Sequence, residues 1–259
     1  MVEDEYGGVQ ARYYDQYFTG VQGDLEFYVG LALEVGSPVL ELGCGTGRIL
    51  TRTARAGISC VGIDRSLPML QRARRSLAVD GIADRVRIVV ADMRSFSLRG
   101  RFSLATIPYR TFQHLLTPAD QYRALCSIHN HLEPGGLLAF NIFEPTGLLA
   151  AYGWKGEEAA KKDIEFTDPE TGDQVEVWYT RSYDPLRQLM LQELSYRPAE
   201  GADRGGPVEQ ARLTLRYSYR YEIEHLLQLC GFKVKALYGD FAGGGFSGTG
   251  EQVWVAQKE

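Results

Sequence analysis

The sequence predicts an α/β fold: a doubly wound, seven-stranded, mostly parallel sheet with an inserted antiparallel β lid. Three observations predict it. Short apolar runs at 39–42, 60–63, 86–90, 102–107 and 137–143 alternate with helical segments, the order of a parallel sheet with helices on both faces. The first run, Val39-Leu40-Glu41-Leu42, opens directly into Gly43-Cys44-Gly45-Thr46-Gly47, and the second ends at Asp64. From about 160 to 217 helical periodicity disappears, and short alternating runs are broken by turn residues.

The glycine-rich turn comes first because it carries chemistry. Glycine lets the backbone approach a ligand where a Cβ would collide. An acid at the next strand end, seventeen residues after Gly47, can accept hydrogen bonds from two ribose hydroxyls. A dinucleotide site has G-x-G-x-x-G and turns a helix N-terminus toward a pyrophosphate. Here the spacing is G-x-G-x-G, and Glu41 stands two residues before the first glycine. A carboxylate there repels a pyrophosphate and attracts an ammonium. S-adenosyl-L-methionine carries an ammonium, a sulfonium, a ribose and an adenine, and no phosphate.

The run Glu41 to Gly47 therefore resembles motif I of the class I S-adenosylmethionine-dependent methyltransferases. The resemblance covers about residues 38–143 and implies a donor site. Gly43, Cys44, Gly45 and Gly47 would form its turn, with Cys44 as a small space-filler. Asp64 would hold the ribose, followed by Arg65 and Met69 on the next helix. Ala91-Asp92-Met93 looks like the adenine segment, in which Asp92 accepts from the amino group and Met93 packs on the ring. Pro108 and Tyr109 follow the fourth strand, where this family places the sulfonium. Glu133-Pro134-Gly135-Gly136 precedes the fifth run, as x-P-G-G does in the family.

Thr117-Pro118 supplies an N-cap with proline at the first helical position for a helix over Leu115 to His131. After the fifth run, Val175, Val177 and Tyr179 alternate with Glu176, Trp178 and Thr180. Met190, Gln192, Leu194 and Tyr196 share one face of the next strand, and Leu213, Leu215 and Tyr217 one face of the last. This reads as a meander of three or four antiparallel strands. It resembles the lid of small-molecule N-methyltransferases, including those acting on sugar amines and glycine. The division expected is a donor-binding domain of 1–150 and 218–259 with a lid of 151–217. Ser218 is expected to cap a helix ending at Cys230-Gly231. Two further strands, near 232–238 and 252–256, would close the sheet as an antiparallel hairpin, and the glycine-rich loop between them would set Phe241 or Phe246 near the pocket mouth.

Composition narrows the function classes. No apolar stretch reaches the roughly 18–20 residues that span a bilayer, and the acidic start Met1-Val2-Glu3-Asp4-Glu5 is unlike a signal peptide, so a cytoplasmic protein without a membrane partner is expected. Four scattered cysteines with no C-x-x-C pair give no metal or disulfide pattern. Net charge is −5, against a general nucleic-acid surface, although residues 47–101 hold twelve arginines and four acids. Oligomeric state, a homodimer included, is open from sequence.

Methyl transfer from a sulfonium needs alignment more than acid–base chemistry, and a base only if the acceptor arrives protonated. Methyltransferases acting on adenine or glutamine carry Asn/Asp-Pro-Pro-Tyr after the fourth strand. This chain has Thr106-Ile107-Pro108-Tyr109, which keeps Pro108-Tyr109 without the amide or acid. His114 matches a histidine of sugar-amine N-methyltransferases, so Tyr109 and His114 are the catalytic candidates. The N-terminal Tyr13-Tyr14-Asp15-Gln16-Tyr17-Phe18 resembles a helix that relatives lay over the donor, with Tyr14 as the contact. The resemblance implies a methyltransferase acting on an amine or hydroxyl of a small molecule. The alternatives are an RNA or protein methyltransferase, or a donor-binding regulator without catalysis.

Overall fold

A computed structural model describes residues 6–152, 159–199 and 207–259. Two helices lead, α1 (Gly8–Tyr17) and α2 (Asp24–Val35). Then come β1 (Val39–Leu42), α3 (Arg48–Arg55), β2 (Cys60–Asp64), α4 (Leu67–Val79), β3 (Val86–Val90), β4 (Phe102–Ile107), α5 (Pro118–His131) and β5 (Leu132–Phe143). A helix α6 (Pro145–Tyr152) leads to strands β6 (Lys161–Thr167), β7 (Gln174–Asp184), β8 (Leu189–Pro198) and β9 (Glu209–Arg216). Helix α7 (Arg220–Leu229), β10 (Phe232–Tyr238) and β11 (Glu251–Lys258) end the chain.

Seven strands form one sheet in the order β10-β11-β5-β4-β1-β2-β3. All pairs are parallel except those of β11, which runs antiparallel to both neighbours. The chain leaves β1 in one direction for β2 and β3, and returns to its other side with β4 and β5. Their carboxyl ends therefore part at a crevice, where ligands bind in open α/β sheets. Leu40 and Leu42 pack with α5 and α7 on one face, while Val39 packs with Tyr28, Ile49 and Leu50 on the other. With side chains alternating along a strand, Glu41 shares the face of Val39.

The expected boundaries shift in three places. Helix α5 begins at Pro118, with Thr117 Oγ1 accepting from Asp120 N (3.1 Å), and residues 111–114 form a separate 3₁₀ turn. Tyr219, not Ser218, occupies the N-cap of α7, because Glu222 reaches back to the Tyr219 amide at 2.8 Å. Strand β5 already starts at Leu132. Its register against β4 jumps from Phe102↔Leu132 to Leu104↔Leu137, so Glu133-Pro134-Gly135-Gly136 bulges outward within the strand.

The meander is a four-stranded antiparallel sheet, β6-β7-β8-β9. Its alternation has the expected sense: Val177, Leu194 and Tyr196 are buried on the inward face, each worth about 1.5–3 kcal/mol if fully buried. They pack on Val9, Tyr13 and Tyr17 of α1. Asp168, in the β6–β7 turn, is buried and accepts from Arg12 (2.6 Å) and Tyr13 (2.9 Å). Helix α1 thus joins the two sheets. No helix among the described residues is long and apolar enough to cross a membrane.

Candidate active site

The carboxyl end of β1 makes a tight backbone cradle. Gly43, Gly45 and Gly47 all take positive φ, at 65°, 54° and 86°. At Gly43 substitution meets a second obstacle: a Cβ would lie 2.1 Å from Thr111 Cγ2. Cys44 is buried against Gly62, and burial pushes its thiol well above the usual range, so it is a packing group. Asp64 Oδ2 accepts from Gly45 N and its Oδ1 from Ser66 N, both at 2.8 Å, which ties the ends of β1 and β2 together. Desolvation raises the Asp64 pKa despite these bonds. Met69 is buried behind Gly45, while the Arg65 side chain is exposed and 3.7 Å from Asp92.

Glu41 is 3 % exposed and has no hydrogen-bond or ion-pair partner among the described residues. Burial pushes its pKa up to about 8, although Arg48 pulls it down. Arg48 itself is engaged by Asp24 at 2.8 and 2.5 Å. A buried carboxylate without a partner is costly, and a ligand ammonium would supply the missing cation. Asp92 lies past β3 and is clamped by Arg94 through Nε (3.0 Å) and Nη2 (2.6 Å). Burial works against its charge, but these bonds outweigh it and hold the carboxyl low. Met93 is half-buried beside the core.

Above this cradle a cavity of about 490 Å³ opens between the two sheets. Phe18, Tyr109, His114, Phe143, Met190 and Leu213 line it, together with Tyr6, Tyr17, Asp163, Arg181 and Gln192. Its base is the segment after β4. Tyr109 and Arg110 both hold positive φ (54° and 65°), an unusual state for side-chain-bearing residues and a mark of functional turns. The turn is held by Thr111 Oγ1 donating to Pro108 O at 2.7 Å. Burial raises the Tyr109 pKa, and the Arg48 guanidinium lies 5.4 Å from the centre of its ring. His114 Nε2 is 2.7 Å from the Tyr6 hydroxyl. Tyr14 packs between Tyr6 (5.8 Å) and Phe18 (5.0 Å), and Asp15 accepts from Thr46 of the glycine turn at 2.6 Å. Helix α1 therefore closes the space between cradle and cavity.

Comparison with known proteins gives this geometry a family context. Residues 39–136 match the methyltransferase domain family. The chain is an S-adenosylmethionine-dependent methyltransferase. The structure of the CcbJ methyltransferase from Streptomyces caelestis superposes with a TM-score of 0.84 at 25 % identity, over 98 % of this chain and 99 % of that one. The YqeM protein of Bacillus subtilis (strain 168) is 25 % identical over 85 % of this chain and 83 % of its own length. A dTDP-3-amino-3,4,6-trideoxy-alpha-D-glucopyranose N,N-dimethyltransferase from Streptomyces venezuelae is 28 % identical, over 49 % of this chain and 51 % of that protein.

In this methyltransferase the sequence-predicted residues lie in two groups. Glu41, Gly43, Cys44, Gly45, Gly47, Asp64 and Met69 gather at the cradle, and Tyr109 and His114 face the cavity. Phe241 and Phe246 do not line it; Phe241 is buried against Phe27 and Tyr28. Many arginines of the 47–101 run are neutralised: Arg48 by Asp24, Arg55 by Asp80, Arg72 by Asp15, and Arg94 by Asp92 and Asp120. Sequence reasoning missed Tyr6, Asp163, Arg181 and Gln192. Arg181 had a signal, since alternation places it on the apolar face of Val175 and Val177. Tyr6 and Asp163 had none, because only the packing of α1 brings them to the cavity.

Proposed function

We propose that this methyltransferase methylates the nitrogen of a small-molecule amine held in the cavity over Tyr109 and His114. The observation that carries the reading is His114 facing that cavity, its Nε2 2.7 Å from the Tyr6 hydroxyl, beside the glycine cradle. S-adenosylmethionine supplies a methyl group already activated on a sulfonium. The chain is left with alignment, exclusion of water and removal of one proton.

Each residue has a part in that reading. Glu41 holds the donor's ammonium, Asp64 its ribose hydroxyls, and Asp92 with Met93 its adenine. Gly43, Cys44, Gly45 and Gly47 let the backbone lie against it, with Arg65, Met69 and Pro108 at its edges. Tyr14 and the rest of α1 keep water out. Tyr109 positions the acceptor, and His114 takes its proton. Imidazole is the side chain suited to taking a proton from an ammonium near neutral pH; an alcohol, far less acidic, is a poor match. The carboxylate of Asp163 in the cavity wall favours a cationic acceptor. The name of the Streptomyces venezuelae relative, an N,N-dimethyltransferase, supports nitrogen over oxygen.

A panel of small amines and the corresponding alcohols, assayed for S-adenosylhomocysteine release, tests this. Amines should turn over and alcohols should not. His114→Ala should lower kcat by roughly 10²–10⁴-fold, with donor affinity unchanged. Turnover confined to alcohols would overturn the amine reading. A loss under about tenfold would reduce His114 to a positioning group, with alignment supplying the catalysis.

A further inference from the structure

Among the described residues, one cation lining the acceptor cavity has no carboxylate to answer its charge. Arg181 stands on β7, directly across from Gln192 on β8, and both line the cavity. Its Nε is buried with no hydrogen-bond acceptor, and among the described residues no carboxylate lies within 4.0 Å of its guanidinium. What it does touch is the face of Tyr179, 4.4 Å from the ring centre. The other arginine of the cavity lining is engaged. Arg110 is held by Glu251, its Nε at 3.0 Å, and Asp163 accepts from the Tyr17 hydroxyl at 2.6 Å. Arg197 packs over Trp178 in a similar way (5.0 Å), but the strand register puts it on the opposite, outer face of the sheet.

Position matters because a guanidinium partly withdrawn from water without a counter-ion is costly, and stacking on Tyr179 offsets that cost only in part. A planar guanidinium is also built for two-point recognition of carboxylate or phosphate oxygens. Tyr179 fixes the group by stacking and leaves its Nε unsatisfied. We propose that Arg181 binds an anionic group, a carboxylate or a phosphate, carried by the acceptor. The substrate is then an amine that also bears an acid, the amine toward His114 and the acid toward the lid. This rests on the amine reading above only in placing the anion and the amine on one molecule.

The test uses the full chain saturated with S-adenosylhomocysteine and two matched pairs, glucosamine 6-phosphate with glucosamine, and 4-aminobutyrate with propylamine. Calorimetry should show the acid-bearing member of at least one pair binding tenfold or more tighter, and which pair responds separates phosphate from carboxylate. Arg181→Gln should erase that preference while S-adenosylhomocysteine affinity stays as in the wild type, and Arg181→Lys should keep part of it. Equal binding of both members of both pairs to the wild type would overturn the inference. So would a preference that survives in Arg181→Gln or vanishes equally in Arg181→Lys. The amine reading is judged separately by turnover. Methylation without acid preference defeats only the Arg181 assignment, and an Arg181-dependent preference with no amine methylated defeats only the amine reading.

Discussion

At the carboxyl edge of the parallel sheet, backbone makes the site. Gly43, Gly45 and Gly47 hold positive φ, two amides grip Asp64, and little there can change without moving β1 or β2. In the cavity above, side chains make the site: Tyr17 of α1 and Tyr6 just before it, a tyrosine and a histidine after β4, and Asp163, Arg181 and Gln192 from the meander. The donor is common to many enzymes and the acceptor is particular to each. A fixed backbone cradle beside a wall of exchangeable side chains lets one fold keep the first while varying the second.

If the cradle is a backbone site, one added methyl should break it. Gly43→Ala places a Cβ 2.1 Å from Thr111 Cγ2 and forces alanine into the left-handed region. Strain and overpacking together should cost about 2–5 kcal/mol in chemical denaturation. Thr111→Ser removes Cγ2 but keeps the hydroxyl that binds Pro108 O, so Gly43→Ala in that background should lose the clash and keep the strain. A cost unchanged by Thr111→Ser would show that the two turns are not wedged together as described.

The next effect is in donor binding. Asp64→Ala should weaken S-adenosylmethionine by roughly 1.5–3 kcal/mol, the range for hydrogen bonds to a charged group. Glu41 adds a pH signature. Its pKa is raised from 4.5 to about 8, so the folded chain holds a proton there that the unfolded chain releases. Stability without ligand should therefore fall as pH rises through that window. An ammonium favours the ionised carboxylate, so donor affinity should rise between pH 6 and 7.5, with a proton released on binding. Above that the donor's own α-ammonium, with a typical pKa of about 7.7–8.0, begins to lose its charge and the rise should flatten. Glu41→Gln should abolish the rise, and an identical pH dependence in that variant would remove Glu41 from the donor site.

The cavity should respond more gently to a single atom. Tyr6→Phe removes the hydroxyl beside His114 and nothing else. The loss is one hydrogen bond, about 0.5–1.5 kcal/mol, seen as a drop in kcat of a few-fold to about tenfold. A loss as large as that of His114→Ala would mean the two residues act as one unit.

The same contrast governs what could be read from sequence. Glycine spacing, an acid two residues upstream and an acid at the next strand end are local, and each has a backbone reason, so the cradle was legible residue by residue. The meander was legible as strands because alternation is local too. The N-cap of α7 was misplaced because Glu222 captures the Tyr219 amide, a choice between adjacent polar residues that spacing does not decide. The cavity wall was mostly hidden. Tyr6 and His114 are 108 positions apart, and Tyr17 and Asp163 are 146 apart. Both pairs depend on where α1 docks, held to the second sheet by Tyr13 donating to Asp168 and to the glycine turn by Thr46 donating to Asp15.

The most direct test is a crystal structure of the chain with S-adenosylhomocysteine and a turned-over amine. The account predicts the donor's amino end at Glu41, its ribose at Asp64, and the acceptor nitrogen within hydrogen-bonding distance of His114 Nε2, with the sulfur on the nitrogen's other side. An acceptor seated instead in the groove between α3 and α4, lined by Arg52, Arg55, Arg72 and Arg75, or a donor whose amino group lies away from Glu41, would contradict it.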